Sequence, residues 1–156
     1  MLTLKDFTRE ELEYLIDLAI EIKNNPEKYY DSLKRKTLVM LFEKSSTRTR
    51  TSFEAGMTQL GGHAIFLDWK SSQLSIGAEL KDEVKSVERY CDAIAARVRK
   101  HETLEGISKA VKKPVINMLS EKYHPKTPIK LKYCLCIFLN FESGNNKLRD
   151  LIVYLL

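Results

Sequence analysis

Apolar and polar positions along this chain fall into two patterns that take turns. Leu12, Leu15, Ile16, Ala19 and Ile22 recur at the three-to-four spacing of one helix face. Thr8 precedes them with Glu11 three residues on, the spacing of a capping box, and Asn24, Asn25 and Pro26 close the segment. Then comes "KTLVMLFEK", residues 36–44, a short unbroken apolar run of the kind shown by a parallel strand buried on both faces. A helix from about Thr47 sets Phe53, Met57 and Leu60 on one side and stops at Gly61 and Gly62. The alternation continues with a second strand, "HAIFLDW" (63–69), and a helix over 79–90 that aligns Leu80, Val84, Val87 and Cys91. A third strand, "DAIAARV" (92–98), follows, then a helix marked by Leu104, Ile107 and Val111, then a fourth strand, "KPVINML" (113–119).

Four such alternations predict an α/β fold with an open, mostly parallel four-stranded sheet flanked by helices. Ligands on such sheets bind beyond the carboxyl ends of the strands. Each stretch with unusual polar chemistry follows a strand here: "SSTRTR", "KSSQLSIG", "RVRKHE" and "SEKYHP". A parallel sheet carries all four loops to one edge, where a site is expected.

Composition narrows the class. The 156 residues fit one domain, and 44% hydrophobic with 30% charged content is ordinary for a globular protein. No apolar run reaches the roughly 20 residues of a membrane-spanning helix. The opening "MLTLKDFTREELEYL" is acidic and amphipathic rather than a basic-then-apolar leader. With three cysteines, a reducing cytoplasm is the expected compartment. Cys91, Cys134 and Cys136 lack zinc-ligand spacing, so no metal is expected, and Cys91 reads as a buried free thiol. Of the formal charge of +5, residues 126–156 carry +3, from five basic and two acidic side chains, which leaves +2 on the rest. That balance does not make a nucleic-acid surface.

The charge that matters is local. Ser45 to Thr51 hold two serines, three threonines and two arginines in seven consecutive positions at the start of a helix. Unpaired backbone N–H groups and the positive dipole end there favour an anion, phosphate especially. Basic side chains at that end oppose the dipole unless an anion is present. Ser46 alone would read as an ordinary N-cap. With Arg48 and Arg50 one turn in, after a buried strand, an oxyanion site is the better reading. Ser46, Thr47 and Thr49 supply hydroxyls, and Arg48 supplies a planar fork for two phosphate oxygens.

These residues carry a family resemblance. "FEKSSTRTRTSFEAGMTQLGGHAIFL" resembles the carbamoyl-phosphate-binding signature of the aspartate and ornithine carbamoyltransferases. "DAIAARV", with Arg97 at its end, resembles the family's second motif, and "PVINMLSEKYHP" resembles the third. The opening "LTLKDFTREELEYLIDLA" fits as well, so the resemblance covers residues 1 to about 125. Lys44, the "LGGH" ending at His63, and "INMLSEKYHP" are closer to the ornithine branch than to the aspartate branch. The resemblance implies that an amine, that of ornithine, attacks the carbonyl carbon of carbamoyl phosphate to give citrulline and phosphate, with no cofactor. It implies Ser46, Thr47, Arg48 and Thr49 on the phosphate. It also implies Arg97 and His124 as donors to the carbonyl oxygen, where one preorganised donor contributes about 3 kcal/mol. Arg50 is expected to be structural, paired with a nearby acid. The loop "KSSQLSIGAEL" would reach the neighbouring subunit's site in a homotrimer through Ser75 or Gln73.

After Pro125 the likeness stops. Thr127 stands where the family has glutamine, and Pro125 and Pro128 oppose a helix start. The expected organisation is a carbamoyl-phosphate domain over 1–125 and a divergent, irregular tail over 126–156 in place of a second, amino-acid-binding domain. The tail's Lys, Asn, Ile, Leu, Tyr and Cys suit an out-of-frame reading of A+T-rich DNA. The alternative is a tail that covers the surface a second domain would occupy. Aspartate carbamoyltransferase, or a carbamoyl-phosphate-binding module without turnover, are the other functions these features allow.

Overall fold

The computed structural model describes Leu2 and residues 7–122. His124 and the stretch 126–156 lie outside the described residues. The first helix, α1 (Arg9–Asn24), starts with the expected capping box: the Glu11 N–H donates to Thr8 Oγ1 at 3.2 Å, and the Thr8 N–H to Glu11 Oε2 at 2.9 Å. Leu15 and Ala19 are its buried residues. After a 3₁₀ turn over Pro26–Tyr29, strand and helix alternate as the patterning predicts. The order is β1 (Thr37–Phe42), α2 (Thr47–Gln59), β2 (His63–Asp68), α3 (Leu80–Glu88), β3 (Ala93–Arg97), α4 (His101–Ala110) and β4 (Val115–Leu119). The elements are shorter than the sequence suggests at several ends, because periodicity continues past the last ladder or helical hydrogen bond. "KSSQLSIG" coils into two 3₁₀ turns, Trp69–Ser71 and Gln73–Ile76.

All four strands are parallel, in the order β2-β1-β3-β4. Strand alternation divides the core in two. Leu38, Met40, Phe42, Ala93, Ala95, Ile116 and Met118 meet Leu15 of α1 and Phe53 and Met57 of α2 on one face. Val39, Leu41, Ile94, Ala96 and Val115 meet Val84 of α3 and Leu104 and Ile107 of α4 on the other. With helices on both sides, β1 has no polar face to show, which explains its unbroken apolar run. Each such large apolar side chain contributes about 1.5–3 kcal/mol when fully buried.

The strand order places the site. From β1 the chain moves outward to β2, and from β3 it moves outward to β4 in the opposite direction. The winding therefore reverses between β1 and β3, and the loops after these two strands part to leave a crevice. Ser46 at the end of the first loop, Thr47–Thr49 opening α2, and Arg97 closing β3 border that crevice.

Two positions test the fold. Gly61 has φ 82°, and a Cβ there would lie 2.6 Å from the Tyr30 carbonyl oxygen. Gly77 has φ 97° but open space around it. Gly61→Ala is expected to cost about 3 kcal/mol in urea unfolding, and Gly77→Ala only about 1 kcal/mol, the left-handed strain alone. Cys91 is buried, and burial pushes its thiol up to about 11, with Lys113 opposing and Asp92 and Glu88 reinforcing the shift. An unfolded thiol ionises near pH ~8.5. Stability from this group is thus intact below that pH and is lost as the pH rises toward the folded value. Under reducing conditions, the urea midpoint should fall more steeply above pH ~8.5 in the wild type than in Cys91→Ala.

Candidate active site

β1 ends at Phe42, and the chain turns into α2 with Ser46 as N-cap. Ser46 Oγ accepts the Thr49 N–H at 3.4 Å and donates its own proton to Thr49 Oγ1 at 3.0 Å. The Arg50 N–H reaches the Ser46 carbonyl at 3.0 Å. The N–H groups of Thr47 and Arg48 have no acceptor among the described residues. Ser46 is thus an ordinary cap on a turn whose first two N–H groups stay open. A cap and an anion site are compatible, because capping engages the Thr49 N–H and leaves the first two donors free.

Arg97 closes β3. Alternation sets it on the same face as Ala93 and Ala95, the face that α2 covers. Its Nη1 donates to Thr49 Oγ1 at 3.4 Å, so Thr49 receives protons from both Ser46 and Arg97. Among the described residues Arg97 Nε is buried with no partner. Burial, and then the nearby positive charge of Arg48, lower the Arg97 pKa from its usual value. Among the described residues no carboxylate pairs with Arg48 or Arg97. A half-buried guanidinium with an orphaned donor, beside a second cation and a bare helix N-terminus, is a costly arrangement that an anion relieves.

Arg50 behaves differently from Arg48. Its Nε donates to Glu54 Oε1 at 2.8 Å, the acid pairing expected of it. Its guanidinium also lies 3.8 Å from the centroid of the Phe66 ring, which in turn tilts against Phe42 at 5.2 Å. Periodicity could not reveal that stacking, because β2 meets α2 only in three dimensions.

Of the other candidates, Gln73 and Ser75 are exposed positions of the 69–77 segment, which is anchored by buried Ser72 and by Trp69 and Leu74 against the core. The Ser75 hydroxyl donates to the Ser72 carbonyl at 2.8 Å, and neither Gln73 nor Ser75 hydrogen-bonds to the Ser46–Arg97 cluster. Thr47 is exposed at the mouth of the turn. A polar pair that patterning did not single out sits nearby. His101 Nδ1 and Ser120 Oγ are 2.9 Å apart and buried, tying the start of α4 to the exit of β4. A histidine inside "RVRKHE" and a serine opening "SEKYHP" were the only signals for it. Among the described residues no group of His, Cys, Asp and Glu side chains is arranged to hold a metal, and no helix is long and apolar enough to cross a membrane.

Residues 1–129 match the family model for the aspartate/ornithine carbamoyltransferase carbamoyl-P binding domain. The chain belongs to the aspartate/ornithine carbamoyltransferase family. The ornithine carbamoyltransferase of Bacillus subtilis is 50% identical over 125 residues, which are 80% of this chain and 39% of that protein. The crystal structure of anabolic ornithine carbamoyltransferase from Campylobacter jejuni superimposes with a TM-score of 0.75 at 42% identity, covering 94% of this chain and 46% of that one. The catalytic subunit of M. jannaschii aspartate transcarbamoylase is more distant, at 31% identity and a TM-score of 0.70 over 76% of this chain and 40% of that one. This member of the family spans about 40% of the length of the curated relatives it matches.

The cap and candidate ligand roles of Ser46 can be separated. Ser46→Ala is expected to cost about 1 kcal/mol in urea unfolding through the lost cap, whereas Ser46→Gly costs only a few tenths. Both remove the hydroxyl. Weakened phosphate binding in Ser46→Gly at near-wild-type stability would identify the hydroxyl as a ligand rather than a cap alone.

Proposed function

We propose that this chain binds carbamoyl phosphate and forms the carbamoyl-phosphate half of an ornithine carbamoyltransferase. The observation that carries the reading is the uncompensated positive site at the β1/β3 crevice: Arg48, Arg97 with its orphaned Nε, and the free N–H groups of α2. In this reading the phosphate sits on the N-terminus of α2. Ser46, Thr47, Arg48 and Thr49 supply hydroxyl, backbone and guanidinium donors to its oxygens. Arg97 and His124 direct donors at the carbonyl oxygen.

The amine of ornithine attacks the carbonyl carbon and its lone pair forms the new C–N bond. The carbonyl π electrons move onto oxygen, which becomes the oxyanion of a tetrahedral intermediate. Donors aimed at that oxygen stabilise it more than the ground state, which lowers the barrier. The oxyanion then collapses, the C–O bond to phosphate breaks, and the nitrogen loses its proton, leaving citrulline and phosphate. Arg48 stabilises the charge on the departing phosphate. Group transfer of this kind calls for no redox cofactor.

Ornithine rather than aspartate as the acceptor is supported by the names of the relatives near 50% identity, against 31% for an aspartate transcarbamoylase. A biosynthetic role, making citrulline for arginine, draws on the anabolic name of a Campylobacter jejuni relative at 48% identity, set against the catabolic name of a Halobacterium salinarum relative at 46%. A cytoplasmic homotrimer in which Ser75 or Gln73 reaches a neighbour's site belongs to the same reading. So does the division into a carbamoyl-phosphate domain over 1–125 and a divergent stretch beyond it.

The test is a calorimetric titration of the full chain with carbamoyl phosphate, with inorganic phosphate and Arg48→Ala as controls. Saturable binding that weakens at least tenfold, about 1.4 kcal/mol, in Arg48→Ala supports the reading. A folded, monodisperse sample that gives no heat with carbamoyl phosphate overturns it.

A further inference from the structure

Glu43 is the residue that follows β1, and it stands one position before the cationic stretch that begins at Lys44. Phe42 and Arg97 are Cα partners and share a face, so alternation turns Glu43 to the opposite one. Its contacts agree with that placement. The Glu43 N–H donates to the Arg97 carbonyl at 2.9 Å. Its carboxylate accepts the Arg99 N–H at 2.7 Å through Oε2, and Oε1 lies 3.8 Å from Arg99 Nε. One residue therefore grips the chain at two points just past Arg97.

The grip lies where the sheet itself is irregular. On the other side of β3, Ala96 pairs with Asn117 but Arg97 pairs with Leu119, so β4 carries an extra residue at this level. Such a bulge re-aims the residues around it and loosens the local ladder. Among the described residues Arg97 has only a long 3.4 Å contact to Thr49 at its far end and an unpartnered Nε along its stem. Its aim thus depends on how its backbone is held. An error on the order of 1 Å in such a donor is enough to degrade its function. Glu43 also keeps its own charge out of the site, because both carboxylate oxygens face Arg99 rather than Arg48 or Arg97.

We infer that Glu43 is a positioning residue: by holding the Arg97 carbonyl and the Arg99 N–H, it sets where the Arg97 guanidinium stands beside Thr49, and so sets the affinity for carbamoyl phosphate. The inference rests on the function proposed above. It acts through geometry, and its sign is opposite to that of a plain charge effect. Removing a carboxylate near cations would strengthen anion binding, whereas losing the grip weakens it.

The full chain, wild type and variants, is titrated with carbamoyl phosphate, and folding is checked by circular dichroism. Glu43→Ala is expected to bind roughly tenfold more weakly, since it loses the bonds to Arg99. Glu43→Gln, whose amide oxygen still accepts the Arg99 N–H, is expected to stay within roughly threefold of wild type. In an Arg97→Ala background, Glu43→Ala should cause no further loss, a coupling that general destabilisation does not produce. If Glu43→Ala fails to fold, Glu43→Asp, one methylene shorter, serves in its place with the same Arg97-dependent loss expected. Wild-type affinity in the substituted chain, tighter binding by both the Ala and Gln variants, or an equal loss with and without Arg97 overturns the inference alone. A wild type that does not bind carbamoyl phosphate overturns the proposed function and the inference together.

Discussion

Leu38 to Phe42 of β1 lie in register with Ala93 to Arg97 of β3, and every element of the site hangs on that pairing. It is the central contact of the sheet, with β2 and β4 outside it. The segments it joins are far apart in the chain, so forming it costs loop-closure entropy before it returns any packing. Burial on two faces repays that cost, since Met40 and Ala95 face α1 and α2 while Leu41 and Ala96 face α3 and α4. A slip of one residue would exchange the two faces and carry Arg97 away from α2. Register thus settles packing and chemistry in one step.

Charge gives the site its character. Elsewhere in the described structure several basic side chains meet acids: Arg9 with Glu13, Lys34 with Asp31, Arg50 with Glu54, Arg99 with Glu43. These exposed pairs contribute little to stability, on the order of 0–1 kcal/mol each. Their effect is one of exclusion. Among the described residues, Glu43 and Glu54, the acids nearest the start of α2 in the chain, are each paired with a cation other than Arg48 or Arg97. Arg48 and Arg97 repel one another, and burial removes water from Arg97. The fold tolerates this because the rest of the sheet is well packed, and a bound dianion would remove the strain.

Much of this was legible in the residues themselves. The capping box at Thr8, the apolar run of β1, the faces of α2 to α4 and the hydroxyl-rich start of α2 are all local features, and each is found where patterning expected it. Ser46, Arg48 and Thr49 stood out as candidates because a phosphate site would need donors packed at a helix start. Arg97 was legible only through a motif likeness, since an arginine at a strand end is unremarkable alone. Glu43, Phe66 and the His101–Ser120 pair were not legible as partners. Their roles consist of contacts between segments that the chain separates.

Taken by itself, the sequence determined which segments are helix or strand, that β1 is buried on both faces, that the strands run parallel, and that the stretches of unusual polar chemistry follow strands. Those properties follow from periodicity and capping, which act within a few residues. Strand order and register were decided only in the tertiary structure. The order β2-β1-β3-β4 is one of several that the same alternation permits, and nothing local distinguishes them. It is set by which faces bury the most apolar surface together and by the handedness of the crossovers. That choice put the loop after β1 beside the end of β3, and so brought Arg97 to within a hydrogen bond of Thr49.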